Sequence, residues 1–141
     1  MSTERQIQAA IASALTTSPH WPQDADVIQA LPGDLETAIR TALGKTSLCV
    51  VVGEPDNIES LPGECTFIQS SDWTLTIFST ELLNPTGTPN LDAALLIRSI
   101  LGNNDLGGLL AEPLSRCRIS FTGEQDGIVV RTVTFTAAYQ S

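Results

Sequence analysis

The sequence predicts an α+β protein, a single mainly antiparallel β-sheet flanked by helices in the order α-α-β-β-α-β-β. Three observations lead there. LCVVV, residues 48–52, is a short, continuous, β-branched run of the kind that fills a buried strand. Trp73, Leu75 and Ile77 alternate with Thr74, Thr76 and Phe78, the period of a strand with two unlike faces. Apolar residues at helical spacing on either side of these runs supply the helices.

The elements follow in order. Thr3 and Gln6 resemble a capping box, and Ile7, Ala10, Ile11, Ala14 and Leu15 then share one helical face. That helix is expected to stop before Ser18-Pro19, because the residue ahead of a proline is pushed out of helical conformation. An irregular connector over about 16–33 follows, with a short strand at Val27–Ala30. Asp34 is placed to cap a second helix, Leu35–Leu43, whose Leu35, Ile39 and Leu43 recur every fourth residue. The buried strand Leu48–Val52 leads into an acidic loop, GEPDNIESLPGE, and then into a long strand within Cys65–Thr80. A second connector, 81–90, ends at Asn90, an expected N-cap for the helix Leu91–Leu101. SRCRISFTG and GIVVRTVTFTAA close the chain as a β-hairpin around the polar turn GEQDG.

Size and charge set the outer limits. With 141 residues and 15.0 kDa, the chain is expected to form one domain, 1–141, with a substantial core. Its hydrophobic content of 42% and mean hydropathy of +0.10 suit a globular protein. Seven Lys+Arg against sixteen Asp+Glu give a net charge of −9, which disfavours tight non-specific binding to DNA or anionic lipid. No apolar run reaches the ~18 residues that suggest a membrane span. The N-terminal segment MSTERQIQAAIASAL lacks the basic start of a signal peptide. Cys49, Cys65 and Cys117 are widely spaced within apolar or strand-like segments and are expected to be buried thiols. With no CxxC and one histidine, no metal site is expected.

One motif asks for a nucleotide. GKTS, residues 44–47, matches the tail of a P-loop, but Ile39 stands where the first glycine of G-x-x-x-x-G-K-[ST] is required. The order of elements is also inverted: a phosphate loop follows a strand and opens a helix, whereas here a helix runs into Gly44 and a strand follows. Gly44 is expected instead to be the left-handed residue ending the second helix, with Lys45 near the negative end of its dipole. His20 sits between prolines with no G-x-S-x-G in the chain, so a serine triad is not supported. Asp24/Asp26 and Glu54, Asp56, Glu59 and Glu64 sit in wet, Pro/Gly-rich loops rather than the dry pocket that raises a catalytic carboxyl's pKa. The second cluster also lacks the D-x-[DN]-x-[DN]-G spacing of a calcium loop. No catalytic residue, cofactor or metal is expected.

Two features ask for a partner. The helix Leu91–Leu101 is apolar almost all round, more than one sheet face needs. Either it is central to the domain, or its second side, including Leu96 and Ile100, meets another subunit. The final hairpin carries Arg116, Arg118 and Arg131, three of seven cations, beside a face of Thr132, Thr134 and Thr136. These arginines are either an ordinary solvated sheet surface or the counterpart of acidic residues Glu54, Asp56, Glu59 and Glu64 on a neighbouring copy.

The layout as a whole, with its N-terminal amphipathic helix, Pro32-Gly33-Asp34 connector, VVV strand, alternating strand, apolar helix and terminal hairpin, resembles the tail terminator or tail-completion proteins of tailed bacteriophages. The resemblance spans roughly Thr3 to Ala138 and is one of element order and size. It implies a curved antiparallel sheet flanked by helices. It also implies a homo-oligomeric ring, commonly a hexamer, that caps the tail tube and joins it to the head connector. Such a subunit is assembled in the host cytoplasm and resides in the virion, at the tail or neck. An acidic lumen would let DNA pass without sticking, with no sequence-specific contact. Three other readings stay open: a stand-alone small-molecule-binding or regulatory domain using the loop 54–64, an enzyme with an unrecognised site, and a different neck or minor tail component.

Overall fold

A computed structural model describes residues 3–29, 35–61, 68–80 and 88–140. The elements are α1 (Thr3–Thr16), β1 (Ala25–Gln29), α2 (Leu35–Lys45), β2 (Leu48–Val52), β3 (Asp56–Leu61), β4 (Ile68–Ser79), α3 (Asn90–Leu101), β5 (Glu112–Gln125) and β6 (Ile128–Gln140). The α+β class and the order of helices and main strands are as expected. β1 lies inside the first connector, where a short strand was anticipated, and β3 is a strand in what the sequence presents as an acidic loop. Pro32, Gly33, Asp34, Glu64, Cys65 and residues 81–87 of the second connector lie outside the described residues.

The sheet runs β1-β2-β4-β6-β5, with β3 also paired to β4. Only β1–β2 is parallel among the paired strands. β2 and β3 divide one long edge of β4 between them: Leu48–Val52 pairs with Ser79–Leu75, and Asp56–Leu61 with Asp72–Ile68. The chain crosses from one to the other at Gly53, whose N–H donates to the Thr74 carbonyl at 3.1 Å. A Cβ there would sit 3.0 Å from that same oxygen, so the residue without one allows the close approach. At the far end, Asp126 (φ 54°) and Gly127 (φ 81°) turn β5 into β6, both left-handed as a two-residue I′ hairpin requires.

The two faces of the sheet are covered unequally. On the inner face α1 and α3 lie over β2, β4 and β6, burying Ile7, Ile11 and Leu15 with Ala93, Ala94, Ile97 and Leu101. Trp73, Leu75 and Ile77 of β4 all point into this core and are fully buried, as their alternation predicts. On the outer face α2 lies over β1 and β2, where Ala42, Cys49 and Val51 form a smaller cluster with Ile39, Leu43 and Phe78 of β4. LCVVV is therefore buried on both sides, which is why it is a continuous apolar run. The rest of the outer face carries half-exposed Thr74, Thr76, Thr132, Thr134 and Thr136 on paired strands.

Three expectations are corrected here. Gly44 is not a left-handed helix cap: it lies inside α2 and has no positive φ. The helix ends one residue later, where the Thr46 N–H and hydroxyl both donate to the Ala42 carbonyl at 2.8 Å and close the last turn. Asn90 does not cap α3 with its side chain: Pro89 holds the cap position, and Asn90 is the first helical residue, fully buried. Of the cysteines, Cys49 is buried and its thiol is pushed up to about 12 by burial, but Cys117 is exposed on the edge strand β5.

Asp24 fastens the connector ahead of β1 to two distant segments. Its carboxylate accepts hydrogen bonds from the Ser47 hydroxyl (2.5 Å), the Thr88 N–H (2.9 Å) and the Thr88 hydroxyl (2.8 Å). Burial alone raises its pKa, but these hydrogen bonds to the ionised form outweigh it and hold the carboxyl below the ordinary 3.8. A folded-state value below the unfolded one means the unfolded chain binds the proton more readily. The stabilisation is therefore complete above pH 3.8 and is lost as pH falls through the lower folded value. Asp24→Asn is expected to lower Tm at pH 7, and the gap to wild type should close as the scan is repeated towards pH 3. A gap that persists unchanged at acid pH would contradict this.

Candidate functional site: charged sheet edges around an open face

β5 and β3 are edge strands, and the charged residues singled out in the sequence divide between them. Arg116 and Arg118 are exposed on β5 together with Glu112 and Glu124, while Asp56 and Glu59 are exposed on β3. The strand register fixes their face. Arg118 lies opposite Thr134, and Asp56 opposite Asp72, whose other neighbour is Thr136. Directly opposed residues share a face, so all of these belong to the outer, threonine-bearing side. Towards its start, β5 loses register between Glu112 and Ser115 and again between Ser115 and Arg118. Arg116 sits in the second irregularity with φ 54°, a bulge that turns its side chain over the outer face. There it lines a concave groove of about 300 Å³ with Glu59, Ser70, Glu112 and Thr136.

Arg131 does not join this group. It alternates with Thr132 and Thr134 along β6 and shares the parity of Val129 and Val133, so it faces the helix-covered side. Its Nε donates to Asn90 Oδ1 at 3.0 Å, and its guanidinium lies 5.3 Å from the centroid of the Phe121 ring. Glu54 is also engaged within the chain, 3.4 Å from Arg5, and Arg5 in turn donates to the buried Gln8. On α3, Leu96 and Ile100 are half-buried, Ile100 packing on the core. The surplus apolar surface of that helix falls at Leu91 (46% exposed) and Leu95 (37%), which the sequence did not single out. Together with Ile58 and Phe121 they are the large exposed hydrophobic residues among the described ones.

Asn90 is the other residue whose role the sequence misplaced. Its Nδ2, with two N–H bonds to share, lies within hydrogen-bond reach of three acceptors, the Ile77 carbonyl (3.2 Å), the Ser79 hydroxyl (3.0 Å) and the Val129 carbonyl (3.0 Å). With Arg131 on its oxygen, it ties the start of α3 to the ends of β4 and β6 beneath the arginine–Phe121 pair. No local signal reveals this, because a capping asparagine and a bridging one look alike in sequence.

The chemical candidates are placed as follows. Lys45 and Thr46 sit at the C-terminal end of α2, where unsatisfied carbonyls repel a phosphate. His20 is exposed, in the connector between α1 and β1. Among the described residues no three His, Cys, Asp or Glu side chains are grouped to hold a metal, and no helix is long and apolar enough to cross a membrane. A second groove, about 520 Å³, opens between α2 and the β5–β6 turn, lined by Leu35, Ile39, Phe78, Ile128 and Val130. It lies away from the segment 54–61.

These features define an α+β fold with one helix-covered face, one open hydroxyl-rich face, an acidic β3 edge and a β5 edge of mixed charge. The fold is similar to that of a chain in the virion of a native gene transfer agent (GTA) particle, at 16% sequence identity and a TM-score of 0.65. The similarity covers 96% of this chain and 95% of that one. No protein-family model and no curated protein matches the sequence.

Proposed function

We propose that this chain is a structural virion protein, a tail terminator or neck subunit that forms a ring, caps the tail tube and joins it to the head connector. The observation that carries the reading is the end-to-end likeness to a virion chain, which matches subunit to subunit and not domain to fragment. The net charge of −9 supports a lumen that DNA passes without adhering. In this reading the subunit is not an enzyme, its partners are further copies of itself, the tail tube and the connector, and its place is the virion.

Light scattering across a concentration series, at low and high salt, tests it. A discrete ring-sized species, or a monomer that assembles when tail tubes are added, is the expected result, and weakening by salt would mean that charge pairs hold the contact. A monomer or dimer at every concentration, indifferent to tubes, would overturn it. That outcome would favour a small-molecule-binding or regulatory domain using the 520 Å³ groove, detectable as a ligand-dependent rise in Tm. Assembly on connectors but not on tubes would identify a different neck component.

A further inference from the structure

We propose that copies of this chain stack face to back around a ring, the exposed ridge of α3 in one copy lying in the groove beside α2 of the next. The proposal rests on the ring reading above and names the surfaces that would build the ring. The groove's occupant is a second copy of this chain, for three reasons.

The first is shape. At β1 and β2 the sheet carries α1 on its inner face and α2 on its outer face. At β6, among the described elements, it carries α3 on the inner face alone, and β5 beyond leaves Phe121 59% exposed on that face. The subunit is therefore a wedge that thins towards β5. A packed helix layer adds about 8–10 Å, and neighbouring strands lie about 4.8 Å apart. One layer is lost over the two strand spacings from β2 to β6, a taper that corresponds to a turn of about 50–60° between copies. Such a wedge closes with about six or seven copies, β5 nearest the axis. At the rim the gap between successive sheets widens enough to hold α1 of one copy and α2 of the other.

The second is level. A closed ring turns each copy about its axis with no shift along it, so with the strands along the axis a contact joins features at one height on opposite faces. Asn90 ties the start of α3 to the Val129 carbonyl, and the exposed Leu91 is the next residue. On the other face the groove is floored at that height by Ile128, Val130 and Phe78, the last two paired across the sheet. Leu95, one turn on from Leu91 and also exposed, continues the ridge.

The third is charge. Burial raises the Cys117 thiol on β5 and the Arg98 guanidinium offsets part of that, so the Arg98 flank of α3 faces β5. Asp92, six residues earlier, lies about 120° round the helix on the other flank, towards the rim. In the stack that flank meets the α2 wall of the next copy's groove, which carries Arg40. Arg40 lies 2.7 Å from Glu36 of its own helix, an exposed pair of the kind that contributes little, and can take a second carboxylate.

A charge swap tests this in the full-length protein, under whichever condition wild type assembles, alone or with tail tubes. Asp92→Arg and Arg40→Asp are each expected to weaken assembly about tenfold. Leu91→Ser is expected to do at least as much, because it takes an apolar side chain out of the groove. The chain carrying both charge changes is expected to recover, because the arginine introduced on α3 of one copy then meets the aspartate introduced on α2 of the next. Melting curves recorded in parallel separate lost contact from lost fold, since a folding defect would deepen in the double variant. Single variants that assemble like wild type, or a double variant no better than either single, would overturn this contact and leave the ring reading standing. A wild-type chain that never assembles would remove both.

Discussion

Trp73→Ala is expected to cost about 3–5 kcal/mol of folding stability, the range for truncating a large aromatic in a packed core. Trp73 is fully buried at the middle of β4, directly across from the equally buried Phe135 of β6. Its indole N–H donates to the buried Ser71 hydroxyl at 2.9 Å, so the side chain is satisfied as well as packed. Domains of this kind hold only roughly 5–15 kcal/mol in total, so the variant should lose a large part of its margin. Urea unfolding measures this directly: the midpoint should fall sharply with little change in slope. Ser71→Ala isolates the polar part, leaving the indole N–H without its partner at about 1–3 kcal/mol. If Trp73→Ala lowered stability by less than about 1 kcal/mol, the inner face would have to be seated on something else.

The elements that could be read from the sequence are those whose burial writes a local period. LCVVV lies between two helical layers and so is apolar throughout. β4 has a core side and an open side, and Trp73 to Phe78 alternate accordingly. β3 leaves no such trace. DNIESL has one face at the sheet rim and an open edge, so Asp56 and Glu59 meet water, and its strand conformation comes from the half of β4 that β2 leaves unpaired. That is a tertiary cause, invisible in six residues. The same holds for the charged edges. The grouping of acidic residues and of arginines is plain in the sequence, but their separation to opposite edges depends on strand order. Arg131 is different, because its parity with Val129 and Val133 already put it on the core side. Its grouping with Arg116 and Arg118 followed proximity along the chain where alternation was the better guide. Gly44 stayed helical because Thr46, two residues on, satisfies the carbonyl that a glycine cap would have served.

Asn90 offers the sharpest test of the difference between reading a residue locally and reading it in the fold. If it were an N-cap, Asn90→Ser and Asn90→Asp would be nearly silent, because both are good caps, and Asn90→Ala would cost about 0.5–2 kcal/mol. In the structure Asn90 is wholly buried, shares its two amide N–H bonds among two carbonyls and a hydroxyl, and accepts from Arg131. Each buried partner left without its hydrogen bond costs about 1–3 kcal/mol, so losing two or more brings Asn90→Ala to roughly 2–6 kcal/mol. Asn90→Asp should then be no rescue. It keeps an acceptor for Arg131 but replaces the donor to Ile77 and Val129 with a carboxylate oxygen, which repels both carbonyls. Ser, too short to span from α3 to β4 and β6 together, should also fail. A double-mutant cycle with Arg131→Met completes the argument. Coupling of about 0.5–3 kcal/mol is expected for residues that share a network, and additive losses would mean that the Arg131 bond contributes nothing to what Asn90 holds together.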